Sequence, residues 1–412
     1  MATFPNLEKP IIRSMLSRHF DDAAFYWAQR CWKVHAPNVY ADEIAALDRK
    51  IHANLWGLQI AGLPGWQIAL SEINTIADPG NCFVATNIAL SRPNPLDNLH
   101  DVISLIRDDE SALKSLKAAL AWSDSAIITD LLKHFSQSSD ITLQEIALSA
   151  LVMRRQPEDY FYPALDSALH SDGALQSRAL KAIGELGLHA YAPQLRELCQ
   201  EESDNPWASW SLVLLGDRTA ALQHLHNLAL MDQHADEYPI LQLVIRASDF
   251  SVSTEIINQL NRQDRVRSAI IACGLLGATS SMEWLLEKME TPELSQLAFM
   301  SFSQVTGLPF EDSRFYEKLP PEGIDEDLLE DTQLPWPNVS AIGEWWRLNA
   351  NRFNHNRRYM AGAPLFLGED LNTDMLHSLL NSGTQTLRKA AALELMLYKH
   401  HTFLANPSSR ML

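Results

Sequence analysis

Residues 144–151 read QEIALSAL and residues 176–183 read QSRALKAI, so Ala147–Ala150–Leu151 in the first stretch reappears as Ala179–Ala182–Ile183 in the second. Working outward, the same three-place triplet occurs eight times. The other six are Thr86–Ala89–Leu90, Leu116–Ala119–Leu120, Ala208–Ser211–Leu212, Ile240–Leu243–Val244, Ile270–Cys273–Gly274 and Ala298–Ser301–Phe302. Its middle place is Ala, Ser or Cys in seven of the eight, and it returns at intervals of 30, 31, 32, 29, 32, 30 and 28 residues. A unit of that length holds two short helices, and a small residue on one face lets the neighbouring helix approach closely. The chain is therefore expected to be all-α, an α-solenoid of about eight to ten helix pairs with non-repeat caps at both ends.

Turn chemistry marks the joints: Pro79-Gly80, Asn94-Pro95, Ser138-Ser139-Asp140, Ser171-Asp172-Gly173, Asn205-Pro206 and Thr291-Pro292. Proline at a first helical position lacks only an N–H that would be unpaired there anyway. Thr142 and Glu145 have the spacing of a capping box. These signals divide the chain into an N-terminal helical cap (1–78), a repeat array (79–310), an acidic, proline-rich loop (311–338) and a C-terminal helical cap (339–412). In the first cap, Phe25, Ala28 and Trp32 share one helical stripe and are expected to seal the end of the array. Ile44, Leu47, Ile51, Leu55 and Leu58 predict an amphipathic helix over 42–58, broken by Gly62, Pro64 and Gly65. A final helix pair is expected at about 374–380 and 385–398.

At 412 residues and 46% hydrophobic composition, with 16 Gly and 20 Pro, core material is ample. Lys and Arg number 33 against 51 Asp and Glu, a net charge of −18. An acidic surface repels phosphate backbones, so no nucleic-acid partner is expected. No apolar run approaches the ~20 residues of a membrane span and no uninterrupted apolar leader opens the chain, so a cytoplasmic location without membrane contact is expected. Cys31, Cys82, Cys199 and Cys273 form no C-x-x-C pair, and Cys82 and Cys273 sit in apolar helical contexts.

Motifs of catalysis and cofactor binding are not found. There is no G-x-S-x-G elbow, no G-x-x-x-x-G-K-[ST] loop and no H-E-x-x-H. His224 and His226 lie two apart and point different ways on a helix, and Asp325-Glu326-Asp327 lacks the ordered spacing of a calcium loop. No catalytic residue, metal or cofactor is assigned. One constellation, at 334–359, remains as a candidate partner-binding surface: Trp336, Trp345, Trp346, Arg357, Arg358 and Tyr359. Tryptophan, tyrosine and arginine are the residues that most often carry interface energy. The same residues also suit a C-terminal cap, with the tryptophans sealing the array and the arginines bonding helix carbonyls and the acidic loop.

Two stretches near the ends add a resemblance. They are His19-Phe20-Asp21-Asp22-Ala23-Ala24-Phe25-Tyr26-Trp27 with Arg30, and 47–58 (LDRKIHANLWGL) followed by Ala61-Gly62 and Trp66. Toward the other end stand Leu334-Pro335-Trp336-Pro337, Trp345-Trp346, Arg352-Phe353, Arg358-Tyr359 and 388–394 (RKAAALE). Together these resemble an uncharacterised family of bacterial HEAT-like repeat proteins often encoded near type VI secretion genes. Arg357 departs from it, since a small residue is expected before Arg-Tyr. The resemblance implies a protein partner within secretion: an effector, a spike or tip protein, or a chaperone. The chain is expected to act as an adaptor or chaperone; the alternatives are an immunity protein that blocks a cognate toxin and a HEAT-type enzyme such as a glycosylase or lyase.

Overall fold

The computed structural model describes residues 12–411 except 125, 201–204, 232–236, 318–329 and 332. Its contacts divide the chain into two compact units. The first takes residues up to 35, 41–179 and 408 onward; the second takes 36–40 and 180–407.

In the first unit the helices are α1 (Arg13–Lys33), α2 (Ala41–Ala61), α3 (Leu63–Thr75), α4 (Pro79–Leu90), α5 (Pro95–Ile106), α6 (Glu110–Trp122), α7 (Ile128–Ser136), α8 (Ile141–Arg154) and α9 (Phe161–Leu169). The border between the units falls inside α10 (Gly173–Glu185). The second unit continues with α11 (Ala192–Gln200), α12 (Trp207–Leu214), α13 (Ala220–Leu230), α14 (Glu237–Ala247), α15 (Phe250–Arg262), α16 (Val266–Leu276), α17 (Met282–Lys288) and α18 (Pro292–Thr306). It closes with α19 (Val339–Asn349), α20 (Thr373–Ser382) and α21 (Gln385–Leu397). No helix among the described residues is long and apolar enough to cross a membrane.

The eight triplets fall on the eight alternate helices α4 to α18, and every residue of every triplet is buried. Within the first unit α4 packs on α6 and α6 on α8; within the second, α12, α14, α16 and α18 pack in succession. The small middle residue is what permits this approach. A Cβ built on Gly274 of α16 would lie 3.1 Å from the Ser301 side chain of α18.

The helix starts follow the turn residues. Asp78, Asp109 and Asp140 cap α4, α6 and α8, accepting from the N–H groups of Asn81 (2.8 Å), Ser111 (2.9 Å) and Thr142 (2.9 Å). The capping box expected of Thr142 and Glu145 does not form. Asp140 takes the cap, and Glu145 turns away to accept from Lys117 Nζ at 2.6 Å. The helix expected over 42–58 is α2, and all five of its predicted apolar positions are buried.

Two expectations are corrected. Among the described residues the stripe Phe25–Ala28–Trp32 is uncovered: Phe25 and Trp32 are 58% and 56% exposed, and α1 instead buries Leu16, Phe20, Ala23, Ala24 and Trp27. The winning face stacks Trp27 on Phe83 of α4, with ring centroids 3.5 Å apart and Trp122 edge-on to both. The C-terminal region is also not purely helical. Three two-stranded antiparallel ladders occur there: β1 (Tyr316–Glu317) with β2 (Trp336–Pro337), β3 (Tyr359–Met360) with β4 (Ala363–Pro364), and β5 (Phe366–Leu367) with β6 (Asp370–Leu371). The second turns through Ala361 and Gly362, both at positive φ. Met360, Leu365, Leu376, Ala390, Ala391 and Leu395, from the stretch of the second and third ladders and from α20 and α21, form one apolar cluster.

Candidate functional site

The constellation at 334–359 lies wholly in the second unit, and its six residues divide by accessibility. Trp336 is buried on β2, where it pairs with Glu317. Trp346 is buried on α19; its indole N–H donates to Glu283 Oε1 at 2.8 Å, and its ring meets Phe302 and Phe353 at 5.8 and 5.5 Å. Tyr359 is buried edge-on to Phe353, and its hydroxyl accepts from the Asn354 N–H at 2.8 Å. Arg358 is committed to the interior, donating to the Leu276 carbonyl (2.9 Å) and to Glu394 Oε1 (2.9 Å). Trp345 is half-buried against Phe302, and Arg357 is exposed. The surface left to a partner here includes part of Trp345 and the exposed Arg347, Leu348 and Arg357.

The acidic loop meets a different arginine from those expected. Residues 318–329 and 332 of it lie outside the described residues, but Glu330 and Asp331 pair with Arg267 of α16 at 3.2 and 2.7 Å. The close fit of this region explains one glycine. Gly277 ends α16 at φ +74°, and a Cβ there would stand 2.2 Å from the Tyr359 carbonyl oxygen.

Arg358 belongs to a buried charge cluster that the sequence reading missed. Glu394 of α21 is fully buried, and its Oε1 accepts from both Arg246 (2.7 Å) and Arg358 (2.9 Å). Glu394 Oε2 and Arg246 Nε have no hydrogen-bond partner among the described residues. Burial pulls the Arg246 guanidinium below its ordinary value, opposed by Glu394. The sequence signal was available: a glutamate inside the apolar run 391–398 (AALELMLY) sits where a helix has no solvent to offer it.

The first unit carries a cavity of about 240 Å³. His52, Leu55, Trp56 and Gln59 of α2 form one wall; Asn87, Leu90 and Ser91 at the end of α4 form another. Trp122, Ser123, Asp124 and Arg410 complete it. Two indoles, a guanidinium, an imidazole and side-chain amides are the chemistry of recognition by stacking and hydrogen bonding.

The second unit has an open groove of about 460 Å³ between α13 and α15, lined by residues that include Gln223, Asn227, Leu230, Val252, Ile256 and Gln259. His226 stands in it with Nε2 2.7 Å from Ser248 Oγ, and burial lowers its pKa. His224 lies 2.8 Å from Ser209 Oγ, which is 3.3 Å from Cys199 Sγ. That serine–histidine pair has the spacing of an activated nucleophile. Ser209 is 1% exposed, so its hydroxyl meets no substrate in this state. Among the described residues, no group of three or more His, Cys, Asp or Glu is placed to hold a metal ion. No protein-family model matches the chain, and neither a curated protein nor a solved structure does.

Proposed function

We propose that the chain is a HEAT-like α-solenoid that binds another protein, serving as an adaptor or chaperone for a type VI secretion effector or spike component. The observation that supports this best is the stacking of the triplet helices. Each repeat adds one such helix and one companion, and the companions α13 and α15 leave an open groove between them. Surfaces built this way gain contact area repeat by repeat and need no deep pocket. The link to secretion rests on the sequence resemblance of the two ends alone.

The test is affinity capture of the tagged chain from its native cytosol, followed by mass spectrometry. One stoichiometric partner that is a secretion effector or spike component supports the reading. Recovery of the bait alone, repeated with the neighbouring genes co-expressed, overturns it.

The charge of −18 favours one second reading, an immunity protein, because acidity complements a basic toxin and speeds its encounter. Rescue of cells expressing a captured toxin separates immunity from adaptor function.

A further inference from the structure

The last described residues, Ser408, Ser409, Arg410 and Met411, belong to the first unit although the chain just before them belongs to the second. They are held there mostly through their backbone. Arg30 Nη2 donates to the carbonyls of Ser408 (3.1 Å) and Ser409 (3.0 Å), and the Met411 N–H donates to Asp48 Oδ2 (2.7 Å). Arg30 and Asp48 are themselves a buried pair, with Nε 2.5 Å from Oδ1. The Arg30 guanidinium lies against both Trp27 and Trp122, 5.5 and 4.9 Å from their ring centroids. The Arg410 side chain is held as well. Arg410 donates to the Trp122 carbonyl (3.0 Å) and to Asp124 Oδ2 (2.6 Å), with its guanidinium 5.3 Å above the Trp122 ring.

Main-chain hydrogen bonds combined with a pocket for a single side chain are how proteins bind extended peptides. A segment held only to cover apolar surface has no need of a buried ion pair aimed at two carbonyls and an N–H. We propose that Arg30, Asp48, Trp122 and Asp124 form a peptide-binding slot, filled in cis by the chain's own tail. In trans it takes an extended segment of a protein partner in which two residues precede an arginine and one follows. The tether gives the tail an effective concentration in the millimolar range, so a partner displaces it only with a second foothold. The cavity beside Arg410, walled by Trp56 and Asn87, offers one. This inference does not depend on the secretion role and survives if that role fails.

The test uses the full-length chain and a fluorescein-labelled peptide of residues 405–412 (ANPSSRML), read by anisotropy. Arg410→Ala loosens the chain's own tail and leaves the slot walls intact. The peptide is expected to bind this variant at least about tenfold more tightly than it binds the wild type. A peptide with alanine for arginine is expected to bind neither protein, and Asp124→Ala added to the variant should weaken the binding. Asp124 is 84% exposed, so its loss leaves the fold alone. In the wild-type chain, millimolar peptide should speed hydrogen exchange at the Met411 amide. No peptide binding to a folded Arg410→Ala chain, equal binding of the arginine-free peptide, or unchanged Met411 exchange would each overturn the proposal.

Discussion

Ser211 of α12 presses so closely on Gly184 of α10 that a Cβ on the glycine would lie 2.6 Å from the serine oxygen and 2.8 Å from its Cα. The Ser211 hydroxyl donates to the Leu180 carbonyl at 2.6 Å and accepts from the Gly184 N–H at 3.2 Å. Those two groups are i and i+4 partners of one helix turn, so the hydroxyl bridges a backbone pair of its neighbour. A small middle residue in the triplet therefore does more than leave room.

Gly184→Ala should cost about 1–3 kcal/mol, because the new methyl meets backbone and Cβ atoms that cannot swing aside. Ser211→Ala removes only the hydroxyl and should cost about 0.5–1.5 kcal/mol. Ser211→Gly combined with Gly184→Ala should recover part of the loss by moving the gap to the other helix. Urea midpoints of the four chains check this; a neutral Gly184→Ala would mean that the helices separate freely.

Among the described residues, Glu394 is the acidic partner that Arg246 and Arg358 share. Replacing it with Ala strands two arginines in the interior, a change that costs about 3–5 kcal/mol for a broken buried pair. Arg314→Ala, which breaks the exposed pair with Asp312, should cost less than about 1 kcal/mol. Equal midpoints for the two variants would show that Glu394 reaches water in solution.

How much of this was legible follows from distance along the chain. The repeat helices were readable because their spacing and caps are local: the burial of Ala150 and the cap at Asp140 need only the neighbouring residues. The face of α1 was not, because Phe25–Ala28–Trp32 and Phe20–Ala23–Trp27 are both apolar stripes. Phe83 and Trp122, far along the chain, decide between them. Arg410 and Trp122 meet across 288 positions, and Arg246 and Glu394 across 148. No periodicity announces such pairs, though a charge within an apolar run marks one member.

Asp140 gives a pH dependence. Burial raises its pKa, but the hydrogen bond from Arg107 and the N–H of Thr142 outweigh that and hold it below the usual aspartate range. A depressed native pKa adds stability above the unfolded value of ~3.9 and loses it as pH falls through the native one. Asp140→Ala should therefore cost about 1 kcal/mol near neutrality, as a lost helix cap does. The gap between the two chains should close in strong acid. Midpoints that stay equally separated at every pH would remove the carboxylate from the account.

Thiol reactivity should follow burial. Burial pushes the Cys82 and Cys273 thiols up to about 12 and Cys31 up to about 11, and it also raises Cys199, opposed by Ser209. The thiolate is the reacting species, so alkylation at pH 8 should be slow at all four. Cys31 and Cys199, which are half-buried, should react before Cys82 and Cys273. Mass spectrometry of the alkylated sites over time shows the order, and rapid labelling of Cys273 would indicate opening of α16.

Trp345 and Trp346 are neighbours with opposite expected effects. Trp346 is packed against Phe302 and Phe353 and bonds Glu283, so Trp346→Ala should cost about 3–5 kcal/mol whatever the partner does. Trp345 is half-buried, and Arg357 is exposed. If a partner docks on this face, Trp345→Ala and Arg357→Ala should weaken its capture far more than they lower the thermal midpoint, since exposed interface anchors carry binding energy without carrying the fold. Capture that survives both changes, with Trp346→Ala alone harmful, would make 334–359 a structural cap and send the search for the partner to the groove between α13 and α15. The two measurements must be made on the same preparations, because a destabilised chain loses binding for reasons that have nothing to do with contact.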